Sequence, residues 1–136
     1  MALFINRYPN KNMLVTPTTE TAPDGRKLGL TIGRNYEVLG IEADYYRLLT
    51  DESHPCASND PCLFEPECFR IVDDKRPIFW ITKLGEGGEE YAYPAQWERI
   101  GFFEDYHDRI ESVRQQFWAD LRALYPWTAN DRAITG

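Results

Sequence analysis

The sequence predicts an α+β fold, a small and strongly bent antiparallel sheet followed by a long C-terminal amphipathic helix. Three observations carry that prediction. Residues 36–50 hold two β-rich runs, Tyr36–Ile41 and Tyr45–Thr50, joined by the short connection "EAD" and followed by the turn "TDES". Further short β-branched and aromatic runs, "CFRIVDD" and "PIFWITKL", follow at strand length. Apolar residues then fall at Phe103, Tyr106, Ile110, Val113, Phe117, Leu121 and Leu124, the three- and four-residue spacing of one helix face.

Taken in order, the runs "ALFI" and "MLVT" predict one or two edge strands, and "PTTETAPDGRK" an exposed loop that turns at "PDG". The 36–50 hairpin follows. "EPE" reads as a helical turn leading into the "CFRIVDD" strand. "GEGGEE" reads as a turn that lets "YAYP" pair back onto "PIFWITKL", and "PAQWERI" as one helical turn placing Trp97 on the body of the protein. The helix is expected over 102–125, with Glu104, Asp105 and Asp108 favouring its positive end and Pro126 stopping it. The tail, 126–136, is expected to fray. With 136 residues, 43% hydrophobic and 14% aromatic, the chain reads as a single domain over 1–136, with a sheet region at 28–100. No apolar run is long enough to span a membrane, and "MALFINRYPNKN" lacks the plan of a signal peptide, so a cytoplasmic location is expected.

Net charge is −7, and one segment accounts for it. Residues 1–36 carry +3, whereas residues 37–73 carry −7. Such a segment repels nucleic-acid phosphates and steers a basic partner towards itself, although acidic surfaces also serve solubility alone.

All three cysteines and one of the two histidines lie in "HPCASNDPCLFEPEC". The spacing Cys56-x5-Cys62-x5-Cys68, with His54 beside Cys56, contains no CxxC knuckle of the kind zinc sites use. Cys68 is expected to point inward as a small hydrophobe. Cys56 and Cys62 are expected in a loop lengthened by "ASNDPC", and disulfides are rare in the cytosol. No metal site, cofactor or catalytic residue is assigned. His54 and His107 lack the partners of a nucleophilic dyad, and "LGEGGEE" lacks the Lys-Ser/Thr of a phosphate loop. The acid runs "EGGEE" and "EDYHD" read as solvated faces. Of the adjacent Tyr45 and Tyr46, one must face outward. Trp118 stands at helical spacing from Arg114 and Arg122, which permits cation–π stacking.

The stretch "LTIGRNYEVLGIEADYYRLLTDES…PCLFEPECFRIVD" resembles small SH3-like β-barrel accessory proteins of bacteria and phages. Gly33, Tyr36, Glu37 and Val38 match the entry strand of that cadence, and Tyr45, Tyr46 and Arg47 its second strand. Asp51 and Glu52 match its turn. Pro66, Glu67, Phe69, Ile71, Val72 and Asp73 match its closing strand. The likeness covers 30–73 well and 77–108 loosely, and it departs at "ASNDPC" and at Cys68. It implies an SH3-like partial barrel and an immunity-type role, because small barrels of this kind look like toxin immunity proteins and phage-encoded inhibitors. The expectation is a non-enzymatic binding protein that neutralises a bacterial toxin. Glu42, Asp44, Asp51, Glu52 and Asp60 would meet a basic cleft, and Tyr45 and Tyr46 would supply apolar contact area. A phage anti-defence inhibitor mimicking nucleic acid, and a small-ligand-binding domain with a pocket between sheet and helix, remain alternatives.

Overall fold

The computed structural model describes residues 12–134. These divide into two compact units, 12–94 and 95–134. In the first unit the strands are β1 (Leu14–Pro17), β2 (Tyr36–Glu37), β3 (Gly40–Glu42), β4 (Tyr45–Leu49), β5 (Pro61–Phe64), β6 (Phe69–Asp73), β7 (Trp80–Leu84) and β8 (Glu90–Pro94). They form two antiparallel sheets, ordered β2-β1-β6 and β5-β4-β3-β8-β7, and among the described residues neither closes into a barrel.

The central hairpin forms where the sequence places it. Glu42 pairs with Tyr45, and the two residues between them, Ala43 (φ 50°) and Asp44 (φ 71°), are both left-handed. That backbone matches the right-handed twist of the flanking strands. The expected strand Tyr36–Ile41 is in fact two short ones. Tyr36 and Glu37 pair with β1, then Val38 and Leu39 carry the chain, fully buried, into the other sheet at Gly40. The chain thus changes sheet within five residues, and where one strongly bent sheet was expected there are two antiparallel ones. The run "CFRIVDD" supplies β6, preceded by a single 3-10 turn at Pro66–Cys68, and "YAYP" pairs with "PIFWITKL" as β8 on β7. Cys62 lies in strand β5 opposite Leu48 and not in the loop expected for it. The run "ALFI" lies outside the described residues.

Alternation decides which side chains form the core. Ile41, Tyr46, Leu48, Phe64 and Ala92 project from the five-stranded sheet into a cluster with Val15, Val38 and Trp80. Phe69 meets Tyr46 and Phe64 edge-to-face at 5.8 and 6.0 Å. Each such side chain withdrawn from water contributes roughly 1.5–3 kcal/mol. Cys68 is buried here, as its strand-entry position predicts.

The second unit begins with a 3-10 turn at Ala95–Trp97 and continues as α1 (Phe102–His107), α2 (Glu111–Leu124) and α3 (Pro126–Asp131). The single helix expected over 102–125 is therefore broken. Arg109 is left-handed (φ 64°), its N–H donates to the Tyr106 carbonyl, and the Ile110 N–H donates to the Asp105 carbonyl. This is a helix C-terminal closure without glycine. Ile110, counted in the apolar stripe, is 45% exposed at the break. His107 accordingly ends α1 instead of starting a helix. Pro126 does end α2, but it also opens α3, where its missing N–H has no helical partner to lose. Part of the tail expected to fray is thus helical, with Thr128 and Ala129 buried.

Trp97 centres this unit, 5.0 Å from the Phe117 ring and 5.8 Å from that of Tyr125, while its indole N–H donates to Asp120 at 3.1 Å. Arg114 stacks over Tyr106 at 4.4 Å, not over Trp118, whose ring meets Tyr106 and Phe117 edge-on. No helix among the described residues is long and apolar enough to cross a membrane.

Candidate functional site

Six of the seven residues singled out by sequence fall into three structural situations, and Asp60 stands apart from them. The first is burial in support of the fold. Asp51 is only 8% exposed, and three donors converge on its carboxylate. The Tyr36 hydroxyl donates to Oδ1 at 2.5 Å, the Thr31 hydroxyl to Oδ2 at 2.6 Å, and Arg34 Nη1 to Oδ1 at 3.4 Å. Its backbone N–H donates to the Gly29 carbonyl, and its own carbonyl accepts the N–H groups of His54 and Asn59. Asp51 therefore ties the 29–34 segment to the loop after β4. Burial, then the hydrogen bond to Asp51, pushes the Tyr36 hydroxyl up to about 12. Tyr46 is 9% exposed and belongs to the core, where burial likewise raises its hydroxyl. Neither Asp51 nor Tyr46 presents surface to a partner.

The second situation is internal neutralisation. Arg34 forks onto Glu52, Nη1 to Oε1 at 2.7 Å and Nη2 to Oε2 at 3.0 Å. Arg47, nearly enclosed, donates Nη2 to Glu42 Oε2 and Nη1 to the Pro61 carbonyl. Burial lowers the Arg47 proton affinity and Glu42 opposes that change. Glu90, four positions before the end of β8, is held by both terminal nitrogens of Arg76 at 2.6 and 2.7 Å. These hydrogen bonds lower its carboxyl pKa. The acidic segment is consequently much less of a free field than its count of charges implies.

The third situation is the exposed end of the five-stranded sheet. Tyr45 is 41% exposed and the Glu42 side chain 46%. Asp44, at the turn, exchanges backbone and side-chain bonds with Glu90: its N–H donates to the Glu90 carbonyl and its Oδ1 accepts the Glu90 N–H at 2.9 Å. The turn is thereby fastened to β8. Tyr91 and Tyr93 project from the same face as Gly40 and Glu42. A Cβ on Gly40 would lie 3.1 Å from that of Tyr93, tighter than ordinary contact, so a side chain there would push the strands apart by a few tenths of an ångström. Ile41 pairs with Ala92, which sets Glu42 opposite Tyr91. Across four strands the order is therefore Lys83, Tyr91, Glu42, Tyr45, with the Lys83 ammonium 5.8 Å from the Tyr91 ring and 5.7 Å from that of Tyr93. Tyr91 escaped the sequence reading because the pairing that brings it to Glu42 spans about fifty residues.

Asp60 belongs to the long β4–β5 connection, where its N–H donates to the Thr50 hydroxyl. That hydroxyl also bonds the Ala57 carbonyl. His54 shapes the same connection, its Nδ1 accepting the N–H groups of Cys56 at 3.1 Å and Ala57 at 2.9 Å. Both bonds require Nδ1 to be unprotonated, and they turn the imidazole inward as a loop brace. Cys56 is exposed, Cys62 partly buried and Cys68 buried, all three as free thiols. Among the described residues no three His, Cys, Asp or Glu side chains gather as metal ligands would. Compared with family profiles, curated proteins and solved structures, the chain matches none of them.

Proposed function

We propose that this chain is a non-enzymatic binding protein that neutralises a bacterial toxin by stoichiometric contact, in the manner of an immunity protein. Its contact surface is the exposed end of the five-stranded sheet around Tyr45. The observation that carries this reading is the setting of Tyr45. A large exposed aromatic stands between Glu42 and Asp44 on a two-residue turn that is itself bonded to β8. An aromatic held rigidly beside charge loses little entropy on binding and suits an interface anchor. The sheet change at Val38–Leu39 supports the SH3-like resemblance from which the immunity role comes. The contact set is narrower than the seven residues of the sequence reading, centring on Glu42, Asp44 and Tyr45. The cytoplasm is the compartment proposed, since three free thiols persist there.

The test is capture from host cells by the tagged chain, run beside Tyr45→Arg. A basic protein recovered at equal stoichiometry, lost with Tyr45→Arg, and toxic unless co-expressed with the wild-type chain, is the expected result. A partner retained by Tyr45→Arg moves the contact surface elsewhere. A partner that is a host-defence nuclease would favour the anti-defence role.

A further inference from the structure

The row Lys83, Tyr91, Glu42, Tyr45 has a geometry more specific than a general acidic face. Tyr91 and Tyr45 stand two strands apart with Glu42 on the strand between them. Adjacent strands lie about 4.8 Å apart, so the two tyrosine stems are separated by about 10 Å. A flat group stacked between two rings needs about 7 Å, so a span of about 10 Å between the stems is wide enough to admit one. The floor of the gap is the Glu42 carboxylate. Its Oε2 is taken by Arg47 from the neighbouring strand, while Oε1 has no hydrogen-bond partner among the described residues.

Arg47 cannot itself fill the gap, because it is buried and its other terminal nitrogen is committed to the Pro61 carbonyl. Lys83 cannot either. It lies on the β7 side of Tyr91, between the Tyr91 and Tyr93 rings. Charge at this end of the sheet is balanced, Glu42 being paired with Arg47, Glu90 with Arg76, and Asp44 at the turn offsetting Lys83, so the selectivity comes from the rings and the open carboxylate oxygen. A planar cation with N–H groups along its edge meets all these conditions at once. It can stack on two rings and donate to the open carboxylate oxygen, which an ammonium cannot do with both faces.

We infer that Tyr45, Glu42 and Tyr91 form a subsite for one arginine side chain of the binding partner. The inference deepens the proposed binding function and rests on this face being the contact surface. The guanidinium lies between the tyrosine rings and donates to Glu42 Oε1, while Arg47 holds the carboxylate from below. Asp44 lies outside the gap and makes no contact with it.

The test needs no knowledge of the partner. The ¹⁵N-labelled chain is titrated with acetyl-Gly-Arg-Gly-amide and with its lysine counterpart, following amide and tyrosine ring resonances. Saturable shifts centred on Glu42, Tyr45 and Tyr91 are expected, with the arginine peptide binding at least about threefold tighter than the lysine one. Tyr45→Leu should weaken binding several-fold while leaving the Glu42–Arg47 pair and the rest of the spectrum intact. Glu42→Gln should weaken it similarly. Shifts that do not saturate, equal binding of both peptides, or affinity unchanged by Tyr45→Leu would overturn the subsite. The two readings fail separately. Loss of a captured partner by Tyr45→Arg with no arginine binding removes the subsite and keeps the interface. Arginine binding with a partner indifferent to Tyr45 keeps the subsite and removes the toxin-contact reading.

Discussion

Replacing Tyr36 with Phe removes one oxygen from a buried position that two groups depend on. The Tyr36 hydroxyl donates to Asp51 at 2.5 Å and accepts the Thr31 N–H at 2.8 Å. A hydrogen bond to a charged group contributes about 1.5–3 kcal/mol, and Thr31 lies at the surface, where water can take over its N–H. Tyr36→Phe should therefore cost about 2 kcal/mol in urea unfolding at pH 7, with an unchanged m value. A second signature is independent of that figure. Burial and the Asp51 hydrogen bond raise the hydroxyl from 10.0 to about 12. A group whose folded pKa is raised stabilises the fold fully below its unfolded pKa, and that contribution is lost as pH rises through the folded value. Each tenfold change in proton affinity is worth about 1.4 kcal/mol, and half of each titration lies outside the window, so Tyr36 should cost the wild type about 2 kcal/mol between pH 10 and 12. Tyr46 adds to the alkaline fall in both proteins, so the difference between wild type and Tyr36→Phe isolates Tyr36. Parallel stability curves from pH 9 to 12, or a cost below about 0.5 kcal/mol at pH 7, would refute the role given to the Asp51 network.

Gly29→Ala should destabilise by about 2 kcal/mol or more, since φ is +75° and the new Cβ would lie 2.5 Å from His54 Cδ2. Gly25→Ala, with φ +88° and open space, should cost only about 1 kcal/mol, so equal thermal shifts for the two would contradict the His54 contact. Phe117→Ala empties the middle of the aromatic group around Trp97 and should cost about 3–5 kcal/mol by chemical unfolding. A loss under 1 kcal/mol would mean that this group does not hold the helices. Alkylation by iodoacetamide, read by mass spectrometry, should proceed in the order Cys56, Cys62, Cys68. Burial raises the last two thiols and access falls along the series, so early labelling of Cys68 would be inconsistent with its packing.

What was legible in the sequence was what depends on near neighbours. The "EAD" hairpin, the helical turn expected at "EPE" and found one residue on at Pro66–Cys68, and the β7–β8 pair all follow from short-range alternation and turn chemistry. The break at residues 108–110 was not legible, because the stripe counts Tyr106 and Val113 correctly on either side of it. The residue that reverses the chain, Arg109, has none of the left-handed preference of Gly or Asn. The candidate surface was half legible. Alternation demanded that one of Tyr45 and Tyr46 face out, and Tyr45 does. Composition counts carboxylates without their partners, however, so it could not show that Arg34 and Arg47 engage Glu52, Asp51 and Glu42. Nor could it place Tyr91 beside Glu42, since that proximity comes from a pairing between distant strands.

The three-stranded sheet has a consequence for how the protein is made. Its middle strand, β1, is the first of the eight to leave the ribosome, yet both its neighbours come later. Leu14 pairs with Glu37 on one side and with Asp73 on the other. With translation at about 5–20 residues per second, β1 waits seconds with one edge bare and longer with the second. During that interval its Leu14 and Val15 are open to any strand or chaperone nearby. The β3–β4 hairpin, by contrast, has both its strands as soon as Leu49 emerges. Nascent chains arrested with residue 73 still inside the exit tunnel and with it fully outside should therefore differ sharply in protease resistance over β1.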